Sequence, residues 1–133
     1  HIIDASLKAA NVLKLNDEEL PALARIYDLS GTDDAIMQAL SDRFELTGVA
    51  LTRGAGGAVL LRGGELARSD GRSVEVVDTV GAGDAFTAAL AFGWLQHWDL
   101  LRIVRTATRI AAYVCTQGGA TPSIPPDWQQ WDD

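Results

Sequence analysis

Nine residues at positions 78–86, with the sequence DTVGAGDAF, constrain the local fold of this chain more than any other stretch. They join a β-branched run at residues 74–77, predicted to be a strand, to an apolar, alanine-rich segment, predicted to be a helix over residues 84–97. The chain must therefore pass from an extended segment through a glycine loop into a helix. The free N–H groups at such a helix start suit an anion, so the carboxylate of Asp84 there needs an explanation.

The remaining hydrophobic pattern alternates short apolar runs with amphipathic segments. The runs predict strands at residues 12–15, 49–52, 58–61 and 66–68. The amphipathic segments predict helices from residue 17 to about 29, over 33–44, and from 99 to about 115. The chain of 133 residues has neither an internal repeat nor a linker and is 47% hydrophobic, so we expect one structural unit over residues 1–133.

Composition excludes several classes of protein. The formal charge of −7 argues against nucleic-acid binding, which depends on clustered Lys and Arg. Cys115 is the only cysteine, which excludes an internal disulfide framework and a cysteine-based metal cluster. No apolar run is long enough to span a membrane and no signal segment opens the sequence, so a cytoplasmic protein is expected. Because the chain begins at His1 and its only methionine is Met37, we expect a piece of a longer or processed product.

Two common phosphate-binding motifs do not fit the glycine loop. No lysine follows Lys14, so a P-loop is excluded, and Phe86 stands where a dinucleotide fingerprint needs its third glycine. Two interpretations remain open. In the first, the loop is a turn and Asp84 only stabilises the start of the helix. In the second, the N–H groups of residues 82–84 hold a phosphoryl group and Asp84 accepts the proton of an attacking hydroxyl.

The stretch resembles the C-terminal signature D-T-x-G-A-G-D-x-F of the PfkB/ribokinase family of carbohydrate kinases, and every fixed position of that signature matches. Two further family motifs occur in the expected order. Asn16 and Glu19 match N-x-x-E after a strand, and Thr52, Gly54 and Gly57 match the nucleotide loop T-x-G-x-x-G. The chain is therefore identified as resembling the second half of this family's pattern.

The resemblance implies an ATP-dependent sugar kinase. Asp84 would be the catalytic base, and Gly81, Ala82 and Gly83 would form the anion hole. Asn16 and Glu19 would organise Mg²⁺ and the phosphates through water. The same two residues also form a pattern like a capping box, which would stabilise a helix start without any metal, and both roles can coexist.

Further site residues follow from the resemblance alone. Thr52, Gly54, Gly57, Thr79 and Gly119 would line the nucleotide site, although a glycine-rich strand end is also an ordinary tight turn.

Some family members carry a monovalent cation loop. The resemblance extends this K⁺ site to Asp78, Val80 and Ser123, while the segment ahead of Ser123 reads GGA, where many relatives have a different residue before the GA pair.

The implied fold is the C-terminal portion of a ribokinase-like three-layer α/β/α sandwich. The N-terminal half, which supplies most sugar contacts and a lid that builds dimer interfaces, is not in this sequence. The implied partners are ATP, a sugar or sugar phosphate and that missing half, and a homo-oligomer stays open, as does a nucleoside substrate. The isolated chain is expected to be inactive. The alternative is a non-enzymatic nucleotide-binding or assembly module that keeps the fold.

Overall fold

The computed structural model describes residues 12–71 and 81–116. Their strands form one four-stranded sheet in the order β1-β2-β3-β4. β1 and β2 are parallel, whereas β2 with β3 and β3 with β4 are antiparallel hairpin pairs. The strands are β1 (Val12–Asn16), β2 (Gly48–Thr52), β3 (Ala58–Arg62) and β4 (Glu65–Ser69).

Within residues 12–71 and 81–116, four α-helices accompany the sheet, and a 3₁₀ turn (Gly54–Gly56) follows β2. The helices are α1 (Glu19–Ile26), α2 (Asp33–Phe44), α3 (Ala82–Leu95) and α4 (Leu100–Cys115). Within the described residues, none of them is both long and apolar enough to cross a membrane.

The alternation of side chains along β1 places one core on each face of the sheet. Leu13 and Leu15 pack with α1 and α2 on one face. Val12 and the β2 residue Ala50 pack with α3 and α4 on the other face. The predicted α/β/α layering is therefore confirmed.

Helix boundaries agree with the predictions to different extents. α2 has the predicted bounds, because Thr32 accepts a hydrogen bond from the Ala35 N–H at 3.2 Å and fixes its start. α1 ends at Ile26, earlier than predicted, because Asp28 adopts a left-handed conformation at φ 55°. α3 begins two residues before the predicted Asp84 and ends at Leu95, ahead of His97 at φ 59°. The strand predicted at residues 74–77 lies outside the described residues.

α3 is less enclosed than its apolar sequence predicted. Phe86, Ala89, Leu90 and Gly93 are buried against the rest of the described structure. The opposite side is exposed, and its residues are Asp84, Thr87, Ala88, Ala91 and Leu95. The prediction that this helix is buried on most sides is thus wrong for the described residues, because only one of its faces meets the sheet and α4.

Close packing fixes α3 near its C-terminal end. A Cβ atom at Gly48, the first residue of β2, would lie 2.3 Å from the ring of Trp94. A Cβ atom at Gly93 would lie 2.9 Å from the side chain of Ile103 in α4. Both glycines therefore allow the helix to approach its neighbours more closely than any other residue would.

Candidate active site

The candidate site lies at the carboxyl end of the parallel strands. Asn16 and Thr52 are the last residues of β1 and β2, and they are register partners. α1 begins just after Asn16, and the Arg53 side chain that follows β2 donates to Asp33 in the first turn of α2 at 2.9 Å. The N-termini of both helices therefore meet at this edge of the sheet, which is where open α/β folds bind their ligands.

α3 presents its N-terminus to the same edge. Trp94, in its last turn, packs against Gly48 at the start of β2. Its first turn lies near β1, where the Lys14 Nζ atom is 4.0 Å from the position of a Cβ at Gly83. The helix thus runs opposite to β1 and β2, and all three helix starts point toward one region.

Asn16 and Glu19 form the predicted capping pair. The Asn16 Oδ1 atom accepts hydrogen bonds from the N–H groups of Glu18 at 2.9 Å and Glu19 at 2.8 Å. The Asn16 N–H in turn donates to Glu19 Oε1 at 2.9 Å. This reciprocal pattern is the capping box expected from the sequence, and it is exposed to solvent. It occupies one carboxylate oxygen of Glu19 and leaves the other oxygen, Oε2, outside the cap.

The loop after β2 has its own structural demands. The Thr52 hydroxyl donates to the Leu15 carbonyl of β1 at 3.3 Å, and the Arg53 N–H donates to the Gly57 carbonyl at 2.8 Å, which closes the loop. Gly57 has φ 91°, and a Cβ there would lie 2.0 Å from the Ser69 carbonyl oxygen. β4 therefore accounts for Gly57 without any nucleotide, since no larger residue fits beside that carbonyl.

Gly54 in the same loop differs from Gly57 in its surroundings. Its φ is 55°, and no atom of the described residues beyond its two chain neighbours lies within 4 Å of the position of its Cβ. Only the left-handed backbone favours glycine at this position. The loop consequently has an open side at Gly54 and a side packed against β4 at Gly57.

The start of α3 has the features that an anion site requires. Gly81 precedes the helix at φ 87°, a left-handed conformation that favours glycine, and its carbonyl accepts from the Ala85 N–H at 2.9 Å. Within the part of the chain that the structure describes, no side chain caps this end of the helix. The first N–H groups of a helix have no partner inside it, so those of Ala82, Gly83 and Asp84 are available to a ligand.

Gly83 and Asp84 are both exposed on this first turn. The Thr87 hydroxyl donates to the Gly83 carbonyl at 2.9 Å, within the helix itself. The carboxylate of Asp84 thus stands in solvent beside the free amides, where it can meet a hydroxyl group that approaches a bound phosphate.

One cation near this turn was not predicted as a site residue. Lys14 lies in the middle of β1 on the face that packs against α3, between Val12 and Asn16. The sequence held one signal for it, a single charged residue between the apolar residues Leu13 and Leu15.

The other predicted site residues are Asp78, Thr79, Val80, Gly119 and Ser123, and all five lie outside the described residues. Within residues 12–71 and 81–116, no three His, Cys, Asp or Glu side chains cluster as metal ligands.

Comparison with known protein families places this site in context. The model of the family described as pfkB family carbohydrate kinase matches residues 2–127. The chain belongs to this family. A fructokinase of Escherichia coli is 32% identical over 126 residues, which are 90% of this chain and 40% of the relative. The chain therefore spans well under half the length of that kinase.

Two solved kinase structures have the same fold. The 2-dehydro-3-deoxygluconokinase of Thermotoga maritima superposes with a TM-score of 0.82 at 19% identity, covering 97% of this chain and 43% of that one. A proposed ribokinase II of Escherichia coli, solved in complex with ATP and Mg²⁺, gives a TM-score of 0.75 at 22% identity and covers 87% of this chain and 36% of its own. The predicted ribokinase-like fold is thus confirmed.

Proposed function

We propose that this chain is the nucleotide-binding and catalytic portion of an ATP-dependent carbohydrate kinase of the fructokinase or ribokinase type. The observation that carries the proposal is the first turn of α3, where uncapped amides stand beside the exposed carboxylate of Asp84. Because the chain belongs to a carbohydrate kinase family, the reaction proposed for this arrangement is the transfer of a phosphoryl group to a sugar hydroxyl.

In the proposed reaction Asp84 is the general base. The sugar O–H gives its proton to the Asp84 carboxylate while the oxygen attacks the terminal phosphorus of ATP. A new O–P bond forms, and the bond from that phosphorus to the bridging oxygen breaks, so ADP leaves with the electron pair. The amides of Ala82, Gly83 and Asp84 stabilise the charge on the transferred group, and the left-handed Gly81 directs the chain into that turn.

ATP and Mg²⁺ are the proposed ligands of this end of the sheet, in line with the related structure that holds both. Asn16 and Glu19 offer oxygen atoms, which Mg²⁺ prefers, and the capping pair leaves Glu19 Oε2 for a water of the metal. Mg²⁺, when bound, would neutralise phosphate charge. The open side of the loop at Gly54 would face the nucleotide, with Thr52 and Gly57 holding the loop in shape.

The remaining site residues stay proposals that rest on the resemblance. Thr79 and Gly119 would complete the nucleotide site, while Asp78, Val80 and Ser123 would hold K⁺.

Binding of the sugar substrate is proposed to need residues that this chain does not supply. The E. coli fructokinase that it matches is more than twice as long, and we propose that an N-terminal half of that kind binds the sugar. The exposed face of α3 is where such a half, or a second copy of the chain, would be expected to pack. A cytoplasmic location is proposed from the composition.

The proposal is tested first on the 133-residue chain. It should bind ATP or ADP weakly in the presence of Mg²⁺ and phosphorylate none of a panel of sugars, because positioning of the two reactants supplies ~7–11 kcal/mol of barrier reduction. Calorimetric titration with ADP and a coupled kinase assay measure the two parts. A stable chain that binds no nucleotide would contradict the proposal in favour of an assembly module, and rapid sugar phosphorylation would contradict the placement of the sugar site.

A second test addresses the base. In a protein of the relatives' full length that contains this chain, Asp84→Asn should reduce turnover by ~10²–10⁴-fold and leave ATP affinity nearly unchanged. Asp42→Asn, a change of the same kind on the exposed side of α2, is the matched control. Turnover of the Asp84 variant within a few-fold of the parent would exclude Asp84 as the base.

A further inference from the structure

The helix α4 carries a charge opposite to that of the whole chain. It contains arginines but no lysine, aspartate or glutamate, whereas the chain has a formal net charge of −7. Ile103, Ala107 and Ile110 belong to the core that α4 shares with α3 and the sheet. The arginines lie three and four residues apart, so they share another side of the helix, which we call the arginine face. Its members are Arg102, Arg105 and Arg109.

The described part of the chain offers this face little negative charge. The elements that α4 packs against most are α3, β3 and β4, and the carboxylates in these three elements are Asp84 and Glu65. The two ion pairs formed among the described residues both involve the first turn of α2 instead. The counter-charges of the arginine face are therefore to be sought outside residues 12–71 and 81–116.

Arg102 shows which groups suit this face. Its guanidinium carbon lies 3.7 Å from the centroid of the Trp98 ring. Arg102 is exposed, and Arg105 and Arg109 are half-buried. Guanidinium groups stack on indole rings and bind carboxylates through paired hydrogen bonds. A peptide segment that combines aspartates with tryptophans therefore has the chemistry to bind the arginine face.

The segment that follows α4 has this composition. Residues 117–133 contain three aspartates and two tryptophans, and neither lysine nor arginine. These residues are Asp127, Trp128, Trp131, Asp132 and Asp133. The two other stretches outside the described residues have mixed charge, because residues 1–11 contain one aspartate and one lysine, and residues 72–80 contain Arg72 with two acids. Charge complementarity thus favours the segment after α4 as the occupant.

This segment is long enough to reach the whole arginine face. Arg102 lies 14 residues before Thr116, which is about 21 Å along a helix. Asp127 lies 11 residues after Thr116, and an extended chain spans up to about 36 Å over that length. The chain can therefore turn back after Thr116 and run along α4 past all three arginines.

We propose that residues 124–133 dock on the arginine face of α4 in the same molecule, with their aspartates paired with its arginines and their tryptophans packed against the guanidinium groups. A short tether gives such a segment an effective concentration on the order of millimolar at its own α4, which favours it over the segment of a second copy. The inference does not depend on the proposed function. Docking would fix the chain on both sides of Gly119 and Ser123, which that function assigns to the nucleotide and K⁺ sites.

The experiment locates the segment by paramagnetic relaxation in the 133-residue chain. In a Cys115→Ser background, a nitroxide is attached at Gln130→Cys, and the loss of backbone amide signal intensity is measured along the chain. The matched control label is at Ser30→Cys, an exposed position between α1 and α2, which pack on the other face of the sheet. We expect the label at position 130 to weaken the amide signals of residues 102–109 and to spare α2, and the label at position 30 to do the reverse.

A charge test accompanies the label at position 130. Changing all three aspartates of the segment to asparagine should restore the amide signals of residues 102–109, because the carboxylates that hold the segment are gone. The control makes the same change in charge elsewhere, at the exposed residues Asp17, Glu65 and Asp70, each replaced by its amide, and should leave the signals weakened. Thermal unfolding of each variant reports whether the described fold is intact.

Three results would overturn the inference. If the label at position 130 weakens no amide signal of α4, the segment does not dock there. If the signals are weakened only when a nitroxide-labelled chain is mixed with a separate ¹⁵N-labelled chain, the occupant is a second copy. If the aspartate variant keeps the signals weakened as its control does, the carboxylates do not hold the segment.

Discussion

Gly83 sits in a helix without a visible structural need for glycine. It is the second residue of α3, it is exposed, and its φ is not among the positive values of the chain. Among the described residues, a Cβ atom there would meet only Lys14 Nζ, at 4.0 Å, which is an ordinary contact. Glycine in a helix costs ~0.5–1 kcal/mol relative to alanine, so Gly83 lowers the stability of α3 without improving its packing.

We therefore expect Gly83→Ala to stabilise the fold and to damage the site. Because Gly83 lies near the end of the helix, the gain in the free energy of unfolding should be at the lower end of this range, about 0.5 kcal/mol. The added methyl group occupies the open side of the turn, where a phosphate would need to reach the amides. In a full-length protein that contains this chain, the displacement of a phosphate by about 1 Å should lower turnover by roughly 100-fold.

Gly93→Ala is the matched control on the same helix. Its Cβ would lie 2.9 Å from the Ile103 side chain and 3.0 Å from the Trp98 ring, so the same substitution should there reduce stability. Urea unfolding of the 133-residue chain gives both free energies, and titration with ATP gives the affinities. The reasoning is refuted if Gly83→Ala destabilises as Gly93→Ala does, or if it stabilises the chain and leaves ATP affinity and turnover intact.

Two more substitutions separate local roles. Glu19→Gln keeps the cap, because glutamine also serves in a capping box, so thermal unfolding should stay normal. Half-saturation with ATP should require more Mg²⁺, and Glu18→Gln is the control. An unchanged Mg²⁺ requirement would leave Glu19 with the role of a cap alone. Thr106→Val should raise the free energy of unfolding by about 1 kcal/mol, because the Thr106 hydroxyl is buried without a hydrogen-bond partner in the described structure. Thr108→Val, whose hydroxyl donates to the Val104 carbonyl at 2.7 Å, should show no such gain, and equal effects of the two would contradict the argument.

Local sequence signals predicted much of the fold. The bounds of α2 followed from its apolar spacing and from the Thr32 cap, both of which act within a few residues. The Asn16 and Glu19 pair was predictable for the same reason, since a capping box is defined by side chains three residues apart. The start of α3 was misplaced by two residues, because glycine and alanine ahead of Asp84 carry no signal that separates a loop from a first turn.

Features that depend on distant contacts were not predictable. Three helices are each followed, within two residues of their last residue, by a non-glycine residue with positive φ, namely Asp28, Glu45 and His97. The sequence offers no glycine at these positions to mark the end of the helix. Glycine is required at position 57 because the Ser69 carbonyl of another strand lies where a side chain would be. Lys14 became a candidate only when its distance to α3 was known.

The contact between Gly48 and Trp94 has a consequence for how this sequence can change over evolutionary time. The indole ring occupies the volume in which a side chain at position 48 would lie, and the Leu61 carbonyl oxygen, 2.7 Å from that Cβ position, closes the remaining space. A larger residue at position 48 is therefore compatible only with a smaller one at position 94, together with a backbone shift. Trp94 also belongs to the helix that carries Asp84. Because a helix moves as a rigid body, such a shift would also displace the first turn of α3. Across relatives, the two positions should therefore vary as a pair, and lineages that exchange one residue alone should lose the proposed phosphoryl transfer before they lose the fold.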